Sequence, residues 1–231
     1  MISSNINHQY IDWSHGPIPE PGEGGDHLGT LSSSLIIPSV TIGLSDYLNI
    51  SYSQLIGVRT MGWNGGFESF HHRDENTTTD FDDQALGGIF GDGNIILKYL
   101  YENAGLGTGS RIFFGGGFSF PSNSVLKSSP FVDEAHRHFS LSDGTYKAQF
   151  EFQYFIKRKT NPMFYGVTIN TAHPIGESEF GFKPGNSYTL VFTSIFGGSS
   201  KSKFLPIGYV LGLALLRSEI AYWGDVESPN S

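Results

Sequence analysis

Runs of alternating apolar and polar residues dominate this sequence and favour β-strands over helices. The clearest run covers residues 145–158, where one set of alternate side chains is apolar and the other is polar or charged. The apolar set is Tyr146, Ala148, Phe150, Phe152, Tyr154 and Ile156, and the polar set is Lys147, Gln149, Glu151, Gln153 and Lys157. A period of two places the two sets on opposite faces of one strand.

Eight such runs are present, and each has nine to fourteen residues. They cover residues 31–44, 47–59, 94–102, 111–121, 145–158, 163–173, 187–196 and 204–217. Strands of globular proteins typically have about 5–6 residues, whereas a tilted strand needs about 9–11 residues to cross a bilayer. The length of the runs therefore favours strands that span a membrane.

The connections between the runs are short and long in turn. Only Ser45 and Asp46 separate the first two runs, whereas residues 60–93 separate the second run from the third. Barrels of the outer membrane have tight turns on one rim and long loops on the other. Unstructured loops of more than about 12–15 residues are uncommon in compact soluble domains. The pattern predicts an all-β, antiparallel, up-and-down transmembrane β-barrel, with about eight strands visible out of ten or more.

We expect one barrel domain over residues 1–231, incomplete at both ends. Residues 1–30 are predicted to be an irregular polar segment, residues 31–217 four β-hairpins, and residues 218–231 a loop or tail. No basic segment followed by an apolar one begins the sequence, so no signal peptide is recognised. An outer-membrane protein is exported through such a peptide, so either the chain is processed or truncated, as we expect, or the membrane hypothesis is wrong.

The composition excludes several classes of protein. Apolar residues make up 38% of the chain and the mean hydropathy is −0.17, too polar for a helical membrane protein. The absence of cysteine excludes disulfides, thiol catalysis and cysteine metal sites. The net charge is −8, with 19 of the 22 acidic residues in the first segment, the long loops and the tail. We therefore expect no nucleic-acid partner, since that needs a basic face.

Several stretches resemble outer-membrane proteins of the MetA-pathway of phenol degradation family. They are TIGLSDYLNIS at 41–51, GDGNIILKYL at 91–100, GTGSRIFFGGGFSFP at 107–121, SLSDGTYKAQFEFQYFIKR at 140–158 and FKPGNSYTLVF at 182–192. The resemblance implies a barrel in the outer membrane of a Gram-negative bacterium that passes small hydrophobic or aromatic molecules. It also implies that the protein is not an enzyme and has no cofactor.

Strand alternation predicts which side chains line the interior of the barrel. A lysine or arginine facing lipid at mid-membrane costs roughly 2–4 kcal/mol, so charged residues should point inward. The predicted lumen-facing residues are Lys98, Arg111, Lys147, Gln149, Glu151, Gln153 and Lys157. Their excess of bases predicts a preference for anionic or polarised solutes, and the simpler hypothesis is that they pair with neighbouring strands.

Histidines and acids concentrate in the loop that follows the second run. A divalent cation is expected at the outer loops, with His71, His72, Asp74 and Glu75 as candidate ligands, because imidazoles and carboxylates bind such ions. Asp80, Asp82, Asp83, His136 and His138 lie in the same or another long loop. The spacing matches no defined motif, so nonspecific cation contact is the competing hypothesis.

The leading functional hypothesis is an outer-membrane channel or transporter. Its partners would be the lipid bilayer, outer-membrane lipid and a small-molecule solute. Two other classes stay open. One is a soluble or surface β-sandwich that binds carbohydrate through its aromatic residues and acidic loops, and the other is an outer-membrane barrel enzyme. A shared apolar interior between two sheets would favour the sandwich.

Overall fold

A computed structural model describes residues 1–17, 24–68, 72, 74–79, 86–127, 140–197 and 208–228. Its elements are all strands, with no helix among these residues. In chain order they are β1 (Ile2–His15), β2 (His27–Gly43), β3 (Leu48–Trp63), β4 (Glu75–Asn76), β5 (Phe90–Asn103), β6 (Gly109–Phe120), β7 (Lys147–Lys157), β8 (Phe164–Pro174), β9 (Phe182–Lys183), β10 (Ser187–Gly197), β11 (Gly208–Ser218), β12 (Tyr222–Trp223) and β13 (Val226–Glu227). The described part of the chain thus contains no helix long and apolar enough to cross a bilayer.

The nine long strands form one antiparallel sheet that curls into a half-barrel. Each long strand pairs with the next long strand along the chain, in the order β1-β2-β3-β5-β6-β7-β8-β10-β11. The short β4 adds to the edge of β3, and β9, β12 and β13 form a separate small sheet. The predicted all-β, antiparallel, up-and-down architecture is therefore confirmed, and the described strands form an open sheet.

All eight predicted runs form strands over their described residues, the last of them from Gly208 on, but the two ends of the chain differ from the prediction. Residues 2–15 were expected to be irregular and instead form β1, which pairs with β2 from Ile2 opposite Val40 to His15 opposite His27. Serine, asparagine, histidine and aspartate supply most of β1 and are weak strand formers. Long-range pairing with β2 therefore stabilises this strand. Two short strands, β12 and β13, also form within the expected tail.

The register of the strands separates an apolar face from a polar face. Seven side chains that lie opposite one another on successive strands form an apolar row: Leu48, Tyr99, Phe114, Phe152, Ile169, Leu190 and Leu215. The adjacent row points to the other face and contains Asn49, Lys98, Gly115, Glu151, Asn170 and Thr189. Directly opposed residues of antiparallel strands share a face, so each row belongs to one side of the sheet.

The apolar face is exposed and the polar face is the more enclosed one. On β5 the side chains of Ile95, Leu97 and Tyr99 are 42–49% exposed. On the opposite face, the side chains of Lys98 and Glu151 are only 22% and 10% exposed. The described residues contain just five buried apolar side chains: Met61, Val125, Leu141, Ala221 and Trp223. This arrangement is the inverse of a soluble core, and it assigns the polar face to the concave side.

Two adjacent glycines of β6 provide a test of how closely β5 and β6 pack. A Cβ atom at Gly117 would collide with the carbonyl oxygen of Ile95, whereas one at Gly116 would meet nothing within 4 Å. We expect Gly117→Ala to lower the free energy of unfolding by about 1–3 kcal/mol, because the backbone of β5 must shift. Gly116→Ala is the matched control and should be neutral or slightly stabilising. Denaturant unfolding of both variants measures the difference, and equal stabilities would contradict the predicted collision.

Candidate functional site on the polar face

The structure places all seven predicted interior residues on the polar face. Lys98 lies opposite Gly115, and Gly115 lies opposite Glu151. Lys147, Gln149, Gln153 and Lys157 alternate with apolar residues along β7 and so share the face of Glu151. Arg111 lies opposite Phe155, which is on this face as well. The register therefore puts the seven residues on one face of the sheet, and that this face lines a lumen stays a prediction.

An ion pair spans three strands at the centre of the polar face. Lys98 Nζ on β5 lies 2.7 Å from Glu151 Oε1 on β7, although β6 runs between them. Gly115 occupies the intervening position, and a Cβ atom there would lie 3.0 Å from the Cβ of Glu151 and 3.5 Å from the Cγ of Lys98. Neighbouring strands are about 4.8 Å apart, so the lysine needs its full length to cross β6. Glycine leaves the space for that crossing.

Amide side chains extend this ion pair into a polar network. Gln153 Nε2 donates to Glu151 Oε1 at 2.9 Å. Two residues before Glu151 on β7, Gln149 Nε2 donates to Asn94 Oδ1 on β5 at 2.6 Å. Both hydrogen bonds hold an amide in a fixed orientation on the concave side. The polar face is therefore a hydrogen-bonded surface in which acceptor and donor positions are set by the strands.

A cavity of about 370 Å³ lies beside this network, towards the end of the sheet where the long loops are. Its charged lining consists of Asp92, Asp143, Glu219 and Lys147. Lys147 Nζ forms an ion pair with Asp143 and lies 3.5 Å from Asp92 Oδ2. Three carboxylates face one ammonium group, so the cavity is acidic overall.

Loop segments cover the polar face above this cavity. Arg59 Nη1 on β3 donates to the carbonyl oxygen of Ser140 at 2.8 Å, and the backbone of Ser142 donates to Ser124 at 3.0 Å. Val125 and Leu141 are buried in the same layer. The loops therefore narrow the concave side at this end and hold its few buried apolar side chains.

Every base among the predicted interior residues has a partner. Lys98 pairs with Glu151, and Lys147 pairs with two aspartates. Arg111 donates to the carbonyl oxygens of Gly105 and Gly107, and Lys157 donates to that of Leu106 at 2.8 Å. The last two therefore cap the turn between β5 and β6. These contacts favour the simpler hypothesis of local pairing over an unpaired basic lining.

No family model, curated protein or solved structure matches this chain. The resemblance to the phenol-degradation family therefore depends on the sequence motifs alone. Those motifs lie in the sheet: residues 41–51 contain the turn from β2 to β3, and residues 91–121 contain most of β5 and β6.

The predicted metal ligands do not gather into one site among the described residues. Asp74 Oδ1 accepts a hydrogen bond from the backbone N–H of Trp63 at 2.8 Å, and Glu75 lies in β4 opposite Met61. His72 instead lies with His15 and His27, and the ligand atoms of the three histidines are all within 4.8 Å of one another. His71, Asp80, Asp82, Asp83, His136 and His138 lie outside the described residues.

His15 and His27 were not among the predicted ligands because β1 was not predicted as a strand. The two residues lie directly opposite each other at the end of the β1–β2 hairpin. The hairpin between residues 2–15 and 27–43 brings them together because its register pairs residue 15 with residue 27, and a slip of one residue would turn one of them to the other face. The period-two placement of Ile2, Ile6 and Tyr10 is the one signal in the sequence for this strand.

Proposed function

We propose that this chain forms the wall of an outer-membrane β-barrel that passes small molecules along its polar face. The observation that carries this proposal is the reversed exposure of the sheet, with aromatic and aliphatic side chains outside and a paired polar network inside. Water is a poor solvent for such an outer face, whereas hydrocarbon needs no further protein to cover it. The lipid bilayer is therefore the proposed partner of the apolar face.

Strand length supports the same proposal. The long strands have 11 to 17 residues. At about 3.3 Å per residue, the 11 residues of β7 extend about 36 Å, and a tilt of about 35–45° leaves roughly 26–30 Å along the barrel axis. The apolar band of outer-membrane barrels is about 25 Å tall. Even the shortest of these strands is therefore long enough to span it.

The polar face supports a pathway for small solutes. The cavity of about 370 Å³ is within the range of small-molecule sites, and its lining combines carboxylates, amides and one lysine. A β-sandwich that binds carbohydrate would need a second sheet packed on an apolar face. No large second sheet is present in the described ranges, where the other sheet has three strands of two residues each.

Tryptophan scanning tests the orientation of the sheet in a bilayer. The full chain is refolded with vesicles that contain lipids brominated on their acyl chains, which quench nearby tryptophan. We expect Phe114→Trp on the apolar face to add strongly quenched fluorescence, because its ring would contact lipid. Gln153→Trp on the polar face is the matched control and should add fluorescence that the bromolipid does not quench.

Three controls accompany this experiment. The chain should float with the vesicles, and a closed barrel should migrate faster unheated than boiled on a denaturing gel. Solute entry into the same vesicles, followed by swelling, measures transport. A chain that stays monomeric in buffer without detergent, or equal quenching at both positions, would reject the membrane proposal.

A further inference from the structure

Three histidines meet at the long-loop end of the half-barrel although they come from separate parts of the chain. His15 ends β1, His27 begins β2, and His72 lies between β3 and β4. The His15 and His27 rings stack at 4.4 Å, and the His27 and His72 rings meet edge to face at 4.9 Å. The ligand atoms of all three lie within 4.8 Å of one another. No acidic residue in the described ranges joins this group.

The hydrogen bonding of His15 prepares one nitrogen for a metal. His15 Nδ1 lies 2.8 Å from the carbonyl oxygen of Gly16, and a carbonyl can only accept, so Nδ1 carries the proton. The lone pair of the neutral ring is then on Nε2. A backbone carbonyl that binds the second ring nitrogen is the usual outer contact of a histidine that binds a metal.

The distance between two of the nitrogens fits a tetrahedral ion. His15 Nε2 and His72 Nε2 are 3.1 Å apart and share a hydrogen bond, in which His15 accepts and His72 donates. An ion bound by both nitrogens would take the place of this proton. Two nitrogens at about 2.0–2.1 Å from a tetrahedral Zn²⁺ are about 3.3–3.4 Å apart. No two ligand nitrogens of the three histidines are more than 4.8 Å apart. A ring movement of roughly 1.5 Å would bring the most distant pair to the spacing of two nitrogens on Zn²⁺.

Aromatic side chains surround His27 and His72, whereas His15 is exposed. The rings of Trp13 and Trp63 lie 4.7 and 5.1 Å from the His72 ring, and the ring of Phe67 lies 5.4 Å from that of His27. His27 is fully buried and His72 is 8% exposed. These rings limit the rotation of the two buried imidazoles, while the exposed side of His15 leaves the cluster open to solvent. A ligand set made of imidazole nitrogens favours Zn²⁺ over Ca²⁺ or Mg²⁺, which prefer oxygen.

We propose that His15, His27 and His72 form a Zn²⁺ site with a fourth position open to water or another ligand. The ion would fasten the segment after β3 to the end of the β1–β2 hairpin. This proposal is independent of the membrane proposal, since its ligands and its test require only that the chain folds.

Zinc titration of the untagged full chain tests the site, in buffer or detergent, whichever keeps the chain monomeric. We expect one Zn²⁺ per chain in calorimetry, no response to Ca²⁺, and Co²⁺ absorption typical of tetrahedral coordination. His72→Asn and His15→Asn should each weaken Zn²⁺ binding on the order of 100-fold. His8→Asn, His173→Asn and Glu75→Gln are matched controls and should bind as the parent does.

The variants also separate loss of a ligand from loss of the fold. Far-ultraviolet circular dichroism of each variant should match the parent, and His15→Asn replaces an exposed ring if His72→Asn does not fold. Binding of Co²⁺ should also quench the fluorescence of Trp13 and Trp63. The proposal is overturned if the folded parent binds no Zn²⁺ at a single saturable site. It is equally overturned if the His15 and His72 variants bind as tightly as the three controls.

Discussion

Phe114→Arg is expected to reduce the stability of the chain in lipid vesicles by about 2–4 kcal/mol, a factor of roughly 30 to 1,000 in the folding equilibrium. Phe114 is 49% exposed at the centre of the apolar face. The centroid of its ring lies 5.9 Å from that of Tyr101 and 5.4 Å from that of Phe152. A guanidinium at this position would face hydrocarbon. Urea titration of the protein refolded in vesicles, followed by tryptophan fluorescence, measures the change.

Two further variants isolate the effect of the charge. Phe114→Ala removes the same ring contacts without adding a charge and should cost less than Phe114→Arg. Gln153→Arg adds the same charge on the polar face, next to Glu151, and should be close to neutral. If both arginine variants lose equal stability, or if Gln153→Arg loses more, the assignment of the faces to lipid and lumen is wrong.

Glu151→Gln is expected to cost about 1–3 kcal/mol, because it leaves the ammonium group of Lys98 half-buried without its carboxylate. The cost is below that of a pair in a dry core, since the Lys98 side chain is 22% exposed and water solvates it in part. Lys98→Met should be destabilising as well, because it leaves Glu151 with only the amide of Gln153. The unfolding free energies of the parent, both single variants and the double variant form a complete cycle.

The double variant decides whether the two side chains interact. We expect Lys98→Met with Glu151→Gln to be more stable than the sum of the single effects predicts, by about 1 kcal/mol or more. Additive effects would mean that the ion pair contributes nothing to stability. In a transport assay, Glu151→Gln should also shift selectivity towards anions, because the lysine becomes the uncompensated charge at the centre of the face.

The strands of the half-barrel were predictable because their signal is local. Alternation along a run such as residues 145–158 fixes which side chains share a face, whatever the partner strand is. The seven interior candidates therefore fell on one face as expected. Lipid contact, transport and the bacterial outer membrane stay predictions, because the fold alone does not test them.

The missed features depend on contacts between distant residues. β1 contains many weak strand formers and forms through pairing with β2, so its own sequence indicates it poorly. Asp92 lies in β5 but outside the predicted run, and Asp143 lies in a long loop, so the pattern could not show that they pair with Lys147. The histidine cluster required the register of the β1–β2 hairpin together with a residue beyond β3.

The ion pair across β6 links three positions that are far apart in the sequence. Lys98 and Glu151 meet because position 115 has no side chain. The residue tolerated at each of these three positions therefore depends on the other two. In related chains, a larger residue at the position of Gly115 should occur together with the loss of the lysine or the glutamate. Substitution at these three sites should therefore be correlated during evolution, even though residue 115 carries no charge and makes no hydrogen bond through a side chain.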